Sequence, residues 1–152
     1  MPNKVKYFVW LAVQERILTN KLRVARRLTE QGNCERCGCL EEDTLHVLRD
    51  CPKSKEVWNN FNRNQFVFNN VKSWITGNIL TNCSEEFPWN VMFTSIIWHI
   101  WKCRNDEVFN GKFFNSESIV VQSKKYASDV HRAIKSSSTP QNFGSTEVKL
   151  VK

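Results

Sequence analysis

Apolar residues recur at helical spacing along most of the first 135 positions, and no alternation of period two persists beyond a few residues, so the pattern predicts an all-α chain. Val5, Phe8, Val9, Leu11, Ala12 and Ile17 form a dense band behind Lys4 and Lys6, which predicts an amphipathic or buried first helix. The uncharged run 7–14 is short for a signal peptide and no small-x-small cleavage site follows it. Thr19 or Asn20 can cap a second helix, with Leu22, Val24, Ala25 and Leu28 facing inward, Lys21, Arg23, Arg26 and Arg27 largely outward, and Gly32 as its stop. Pro52 suits the first turn of a further helix on which Val57, Trp58 and Phe61 make an apolar stripe. The Asn-rich stretch 59–70, punctuated by Phe61, Phe66 and Phe68, reads as a surface loop with aromatic anchors, and 71–80 as a short helix ended near Asn82.

The longest element is predicted to start around 85–88, where Glu85 and Glu86 suit the positive end of a helix dipole, and to run to Phe109 with Gly111 as its stop. Met92, Phe93, Ile96, Ile97, Trp98, Ile100 and Trp101 make its centre apolar on nearly every side, which implies burial on more than one face. A membrane span is not expected, because the uncharged run 87–101 includes Asn90, Thr94, Ser95 and His99 and falls short of the roughly 20 apolar residues that a span needs. Ser116 can cap a last helix to about Lys135, with Ile119, Tyr126, Val130 and Ile134 toward the core. From Ser136 the composition turns to Ser, Thr, Pro, Gln and Gly, which predicts a disordered tail over 136–152.

One stretch breaks the helical pattern. Residues 34–51 read C-x2-C-x8-H-x4-C, with Cys34, Cys37, His46 and Cys51 as four candidate ligands. Zinc takes four tetrahedral nitrogen and sulfur ligands, and a C-x2-C turn points two thiolates at one centre while a short helix supplies the second pair. Asp43 or Thr44 can cap that helix, placing His46 in its first turn and Cys51 near its end. A set of four leaves no open position, so the site reads as structural. The bland alternatives are buried apolar cysteines, disulfide partners and a partly exposed histidine. The metal spacing favours zinc over these. Cys39 offers a competing C-x-C pair with Cys37, although Cys34 and Cys37 have the usual turn spacing and Gly38 follows to relax the loop. His99 and Cys103, four apart on the long helix, have no second ligand pair nearby and read as core, and Cys83 has no partner in the sequence pattern.

Charge then bears on partners. The chain of 152 residues carries 22 Lys and Arg against 15 Asp and Glu, a net charge of +7, which favours an anionic partner, with RNA or DNA the leading candidate. Residues 1–33 balance to +5 and residues 34–58 to −2. Any nucleic-acid contact is therefore expected on Lys21, Arg23, Arg26 and Arg27, with the metal anchoring their helix; a solvated helix face is the alternative. The clustered cysteines carry metal spacing rather than a secreted disulfide framework, which implies a reducing intracellular setting.

Trp10, Leu18-Thr19, Leu22, Cys34, Cys37, an acidic residue and Thr44 before His46, Cys51-Pro52 and Trp58 together resemble the zinc-binding domain that follows the polymerase in plant non-LTR retrotransposon reverse transcriptases. Trp98, Trp101, Arg104-Asn105 and Phe109 are similar to the segment joining that domain to a ribonuclease H domain. Leu48-Arg49 departs from the family, which more often has bulky apolar residues there, and is expected to weaken the core slightly. The resemblance implies a zinc-binding-like domain over 1–80, a helical linker segment over 81–135 packing on it, and the tail. It also implies a polymerase or ribonuclease H domain as a partner.

Catalysis is not expected. A polymerase needs a turn with paired aspartates, and ribonuclease H chemistry needs three or four converging carboxylates, whereas after Gly111 only Glu117, Asp129 and Glu147 remain. Two functions survive: a non-catalytic zinc-binding accessory domain with weak, sequence-indifferent nucleic-acid binding, or a structural or protein-interaction module without it.

Overall fold

The computed structural model describes residues 1–65, 67–81 and 88–137. Phe66, Cys83, Glu85 and Glu86, and the predicted tail from Ser138 onward, lie outside the described residues. Among those described, the chain is helical without strands: α1 (Asn3–Val13), α2 (Asn20–Ala25), a single π turn (His46–Asp50), α3 (Pro52–Trp58), α4 (Val71–Ile79), α5 (Trp89–Asn110) and α6 (Ser116–Ser137).

Helix α5 is the axis of the molecule, packed by α1, α4, α6 and the π turn, while α3 bridges the π turn and α6. Its sequence requires this position. Phe93, Ile96, Ile97 and Ile100 are buried within one continuous core that also holds Phe8, Val47, Leu48, Val57, Trp58, Trp74 and Ile119. Trp98 and Trp101 are half-buried on the flank facing α1, where Phe8 sits 5.4 Å and 6.3 Å from their rings. The centre of the core is aromatic: Trp74 and Phe93 meet edge to face at 5.1 Å, and Trp58 lies 5.6 Å from Phe93. Large indoles enter a core only where the N–H finds an acceptor. Trp58 Nε1 donates to Leu48 O, Trp74 Nε1 to Gln65 Oε1 and Trp89 Nε1 to Asn78 Oδ1, each at 2.8 Å.

Helix ends depart from the sequence reading in an instructive way. Thr19 does cap α2, its Oγ1 accepting from Leu22 N, but the helix stops at Ala25 rather than near Gly32. Leu28 N–H donates to Arg23 O and Arg27 N–H to Val24 O, the paired bonds of a Schellman closure, with Arg27 left-handed at φ 60°. Val24 and Leu28, expected inward, are therefore exposed at 38% and 59%. Helix α1 ends the same way, with Glu15 at φ 55°, Glu15 N–H to Ala12 O and Arg16 N–H to Leu11 O. At α5 the stop is the expected one, Gly111 at φ 67°. Asn115, not Ser116, caps α6, accepting from Ser118 N at 2.7 Å. Ile119 and Val130 are buried as expected, with Val120, Ser123 and Ala127 on the same buried face of α6, whereas Ile134 is 41% exposed. Ser136 and Ser137 belong to this helix, which runs two residues past the end expected at about Lys135.

Candidate metal centre

The first two cysteines sit on a tight turn. Gly38 N–H donates to Cys34 O at 2.7 Å, and Cys34 N–H donates to Cys39 O at 2.8 Å. Gly38 occupies φ +82°, a left-handed conformation that side-chain-bearing residues disfavour. The second pair comes from the π turn. Asp43 caps it, Oδ1 accepting from His46 N at 2.7 Å, and Cys51 N–H closes it onto His46 O at 2.7 Å. That five-residue bond explains the H-x4-C spacing. In an α-helix residue i+5 is rotated about 140° from residue i, whereas the wider π turn brings the two back toward one face.

These two halves converge. The ligand atoms of Cys34, Cys37, His46 and Cys51 all lie within 4.8 Å of one another. Cys34 Sγ is 4.0 Å from Cys51 Sγ, and Cys37 Sγ is 3.4 Å from His46 Nε2. A tetrahedral zinc with sulfur at about 2.3 Å and nitrogen at about 2.0–2.1 Å would set such pairs about 3.5–3.8 Å apart, so the donor set fits zinc with only small adjustments. Cys34 and Cys51 are fully buried, His46 nearly so, and Cys37 is at the surface. The contact with Cys51, helped by His46 and the backbone N–H groups of residues 36 and 37, holds the Cys34 thiol well below its ordinary value; the same contact and burial push the Cys51 thiol up. Burial raises the Cys37 thiol. A divalent cation would release the remaining thiol protons on binding. Arg36 ties the two halves together, its Nη2 donating to Val47 O at 3.1 Å.

Cys39 is exposed, its Sγ 3.9 Å from Glu41 O, outside the four-atom group, so the competing C-x-C pair is not assembled. His99 and Cys103 are buried on α5 and are not among the clustered ligands. His99 Nδ1 bonds Ser95 O at 2.7 Å, and burial pushes the Cys103 thiol up to about 11.

The most consequential residues near the centre escaped the sequence reading. Glu42 and Arg104, 62 positions apart, form a wholly buried ion pair, with Arg104 Nη2 at 2.5 Å and Nε at 3.2 Å from the two carboxylate oxygens. Asn20 joins them: its backbone N–H donates to Glu42 Oε1 at 2.8 Å, its Oδ1 accepts from Arg104, and its Nδ2 donates to Asn33 O at 2.8 Å. Glu42 N–H donates to Gly32 O at 2.7 Å and Lys21 N–H to Glu42 O at 3.0 Å. The loop carrying the cysteines is thus hung from α5 and α2 at Glu42. The signals were present separately, in the acidic residue ahead of Thr44 and in Arg104-Asn105, but only the fold joins them.

Arg49, expected to weaken the core, is 6% exposed and well used. Its Nη1 donates to Gln65 O and Phe68 O at 3.1 Å and 2.9 Å, it pairs with Asp50, and its guanidinium lies 5.7 Å from the Trp74 ring centroid.

The four basic residues expected along the second helix do not form one continuous helical face, since only Lys21 and Arg23 lie within α2. Lys21 pairs with Glu41 at 2.6 Å, and Arg23 donates to Asn20 Oδ1 and lies 5.3 Å from the Phe109 ring centroid. Arg26 and Arg27 are exposed on the turn that ends the helix.

Fold and site together define a helical zinc-binding module. Residues 1–58 match the family described as zinc-binding in reverse transcriptase. The "Putative ribonuclease H protein" of Arabidopsis thaliana is 33% identical over 139 residues, covering 88% of this chain and 22% of that protein. The chain therefore spans about a fifth of the length of that curated relative. No solved structure matches. Among the described residues no helix is long and apolar enough to cross a membrane.

Proposed function

We propose that this chain is a non-catalytic accessory module of a retrotransposon-derived protein, folded around zinc held by Cys34, Cys37, His46 and Cys51, and able to bind RNA or DNA weakly and without sequence preference. The convergence of four ligand atoms within 4.8 Å carries the zinc assignment. Its natural neighbour is a polymerase or ribonuclease H domain, a reading supported by the reverse transcriptase in the family's description and the ribonuclease H in the relative's name, and its setting is a reducing, intracellular one. A non-catalytic role fits the acids on α6: Glu117 and Asp129 are exposed and twelve residues apart on one helix, and among the described residues neither joins a group of potential metal ligands. We take residues 1–80 and 81–135 as one unit, since Arg104 and Glu42 link them in the interior.

Nucleic-acid binding is assigned to Lys21, Arg23, Arg26 and Arg27, with Arg26 and Arg27 contributing most because Lys21 is neutralised by Glu41. The net charge of +7 supports this reading. That same neutralisation, with the acidic loop beside it, favours the second reading, a protein-interaction module without nucleic-acid binding. Salt-dependent titration of the zinc-loaded chain against mixed-sequence RNA and DNA separates them. Contacts to a few phosphates give log affinity a slope of about −2 to −4 against log salt, and exchanging Arg23, Arg26 and Arg27 for glutamine flattens it. Absence of binding at low salt establishes the second reading instead.

A further inference from the structure

Helix α1 carries an outward stripe that neither the core nor the zinc centre uses. Asn3, Tyr7, Trp10 and Gln14 recur at helical spacing along its exposed side. Tyr7 and Trp10 are 62% and 52% exposed, and they adjoin rather than stand singly. Their rings are stacked, 18° apart in plane with centroids 6.1 Å apart, so the two make one aromatic platform on the surface. Beside them, across the seam with α5, Trp98 is half-buried and flanked by two ammonium groups, Lys4 Nζ at 5.9 Å and Lys102 Nζ at 5.7 Å from its ring centroid. Lys6 borders the stripe on its other side. Residues 1–14 and 88–105, which build this surface, contain no Asp or Glu.

Exposed aromatic rings interleaved with lysines are what a flexible polyanion with exposed bases requires. We propose that Tyr7, Trp10 and Trp98, with Lys4, Lys6 and Lys102, form a stacking surface for single-stranded nucleic acid. Bases stack on Tyr7 and Trp10, and the lysines take the phosphates between them. A duplex hides its base faces and gains only the charge. The proposal rests on the nucleic-acid reading above and adds to the charge contact at Arg26 and Arg27 a separate, single-strand-selective surface on α1 and α5.

The test uses the full zinc-loaded chain and a labelled oligothymidylate of about 16 nucleotides, enough to cover one site, alone or annealed to its complement. The single strand is expected to bind more tightly than the duplex and to quench tryptophan fluorescence. Tyr7→Ala and Trp10→Ala, both at exposed positions, should each weaken single-strand binding about five-fold or more. Trp10→Phe should keep most of it. Lys4→Gln and Lys102→Gln should each reduce the salt slope by about one. If the alanine variants bind normally while glutamine at Arg23, Arg26 and Arg27 abolishes binding, this inference is overturned and the nucleic-acid reading stands. If neither strand nor duplex binds at low salt, both fall. If the alanine variants change only the sedimentation of the chain, the stripe is a contact between copies and the inference is again overturned.

Discussion

Replacing Arg104 with methionine tests the link between the long helix and the zinc loop. Methionine keeps the length and most of the apolar stem, so the change removes the guanidinium and little packing. Four hydrogen bonds go with it: two to Glu42, one to Asn20 and one to Asn105. Glu42, with a side-chain exposure of 0%, is left as a buried carboxylate with the Asn20 N–H still donating to it. Breaking a buried pair from one side costs about 3–5 kcal/mol, about a fifth or more of the total stability of an ordinary domain. For a chain of this size that is a fall in melting temperature of about 6–20 °C. Thermal and urea unfolding of the zinc-loaded chain measure it directly. Because Glu42 also fixes Gly32 and Asn20 fixes Asn33, immediately before Cys34, the variant should lose zinc to a chelator sooner than the unmodified chain. Adding Glu42→Met to Arg104→Met should recover part of the loss, since the stranded charge is gone. A cost below about 1 kcal/mol for Arg104→Met, or a double variant whose loss is the sum of the two singles, refutes the reasoning.

Three further outcomes are expected. Serine at Cys34, Cys37 or Cys51 should abolish zinc retention and unfold the loop, while serine at Cys39 or Cys103 should leave one zinc per chain by metal analysis, because neither thiol joins the clustered ligands. Glycine at Glu15 or Arg27 should raise stability, by up to about 1 kcal/mol in urea unfolding, since relief of a left-handed side-chain-bearing residue outweighs the added freedom of the unfolded chain; a loss at both positions contradicts the Schellman closures. Burial holds His99 below its ordinary value of 6.5, so the unfolded chain takes up a proton where the folded chain does not, and stability falls as pH drops below that value toward the folded pKa. His99→Gln, compared with the unmodified chain in excess zinc, should show a shallower acid-side loss; parallel curves count against the assignment.

The metal centre was legible because its ligands are local. Eighteen residues hold all four, and their spacing alone limits the chemistry. The apolar centre of α5 was equally plain, since nothing but burial on several sides accommodates Phe93, Ile96, Ile97 and Ile100 together. Helix ends were harder to read. Glycine is the usual signal for a left-handed closure, and here Glu15 and Arg27 take that conformation, so Gly32 was a misleading stop and the basic residues of α2 looked more regular than they are. The Glu42–Arg104 pair was invisible for a different reason: neither residue type signals burial, and a separation of 62 positions leaves no pattern in the local sequence. Arg49 illustrates the same point, because a charge amid apolar neighbours looks like a defect until the carbonyls of Gln65 and Phe68 are brought to it.

The π turn at His46–Asp50 bears on how this centre tolerates insertions and deletions. Delete one residue between His46 and Cys51 and the remaining two ligands fall four apart, where an ordinary α-turn already stacks them on one side. H-x3-C and H-x4-C are then alternative solutions to one metal geometry, the longer one absorbing its extra residue as a bulge. A search of other sequences for this centre should hold the C-x2-C turn fixed and let the final interval vary by one.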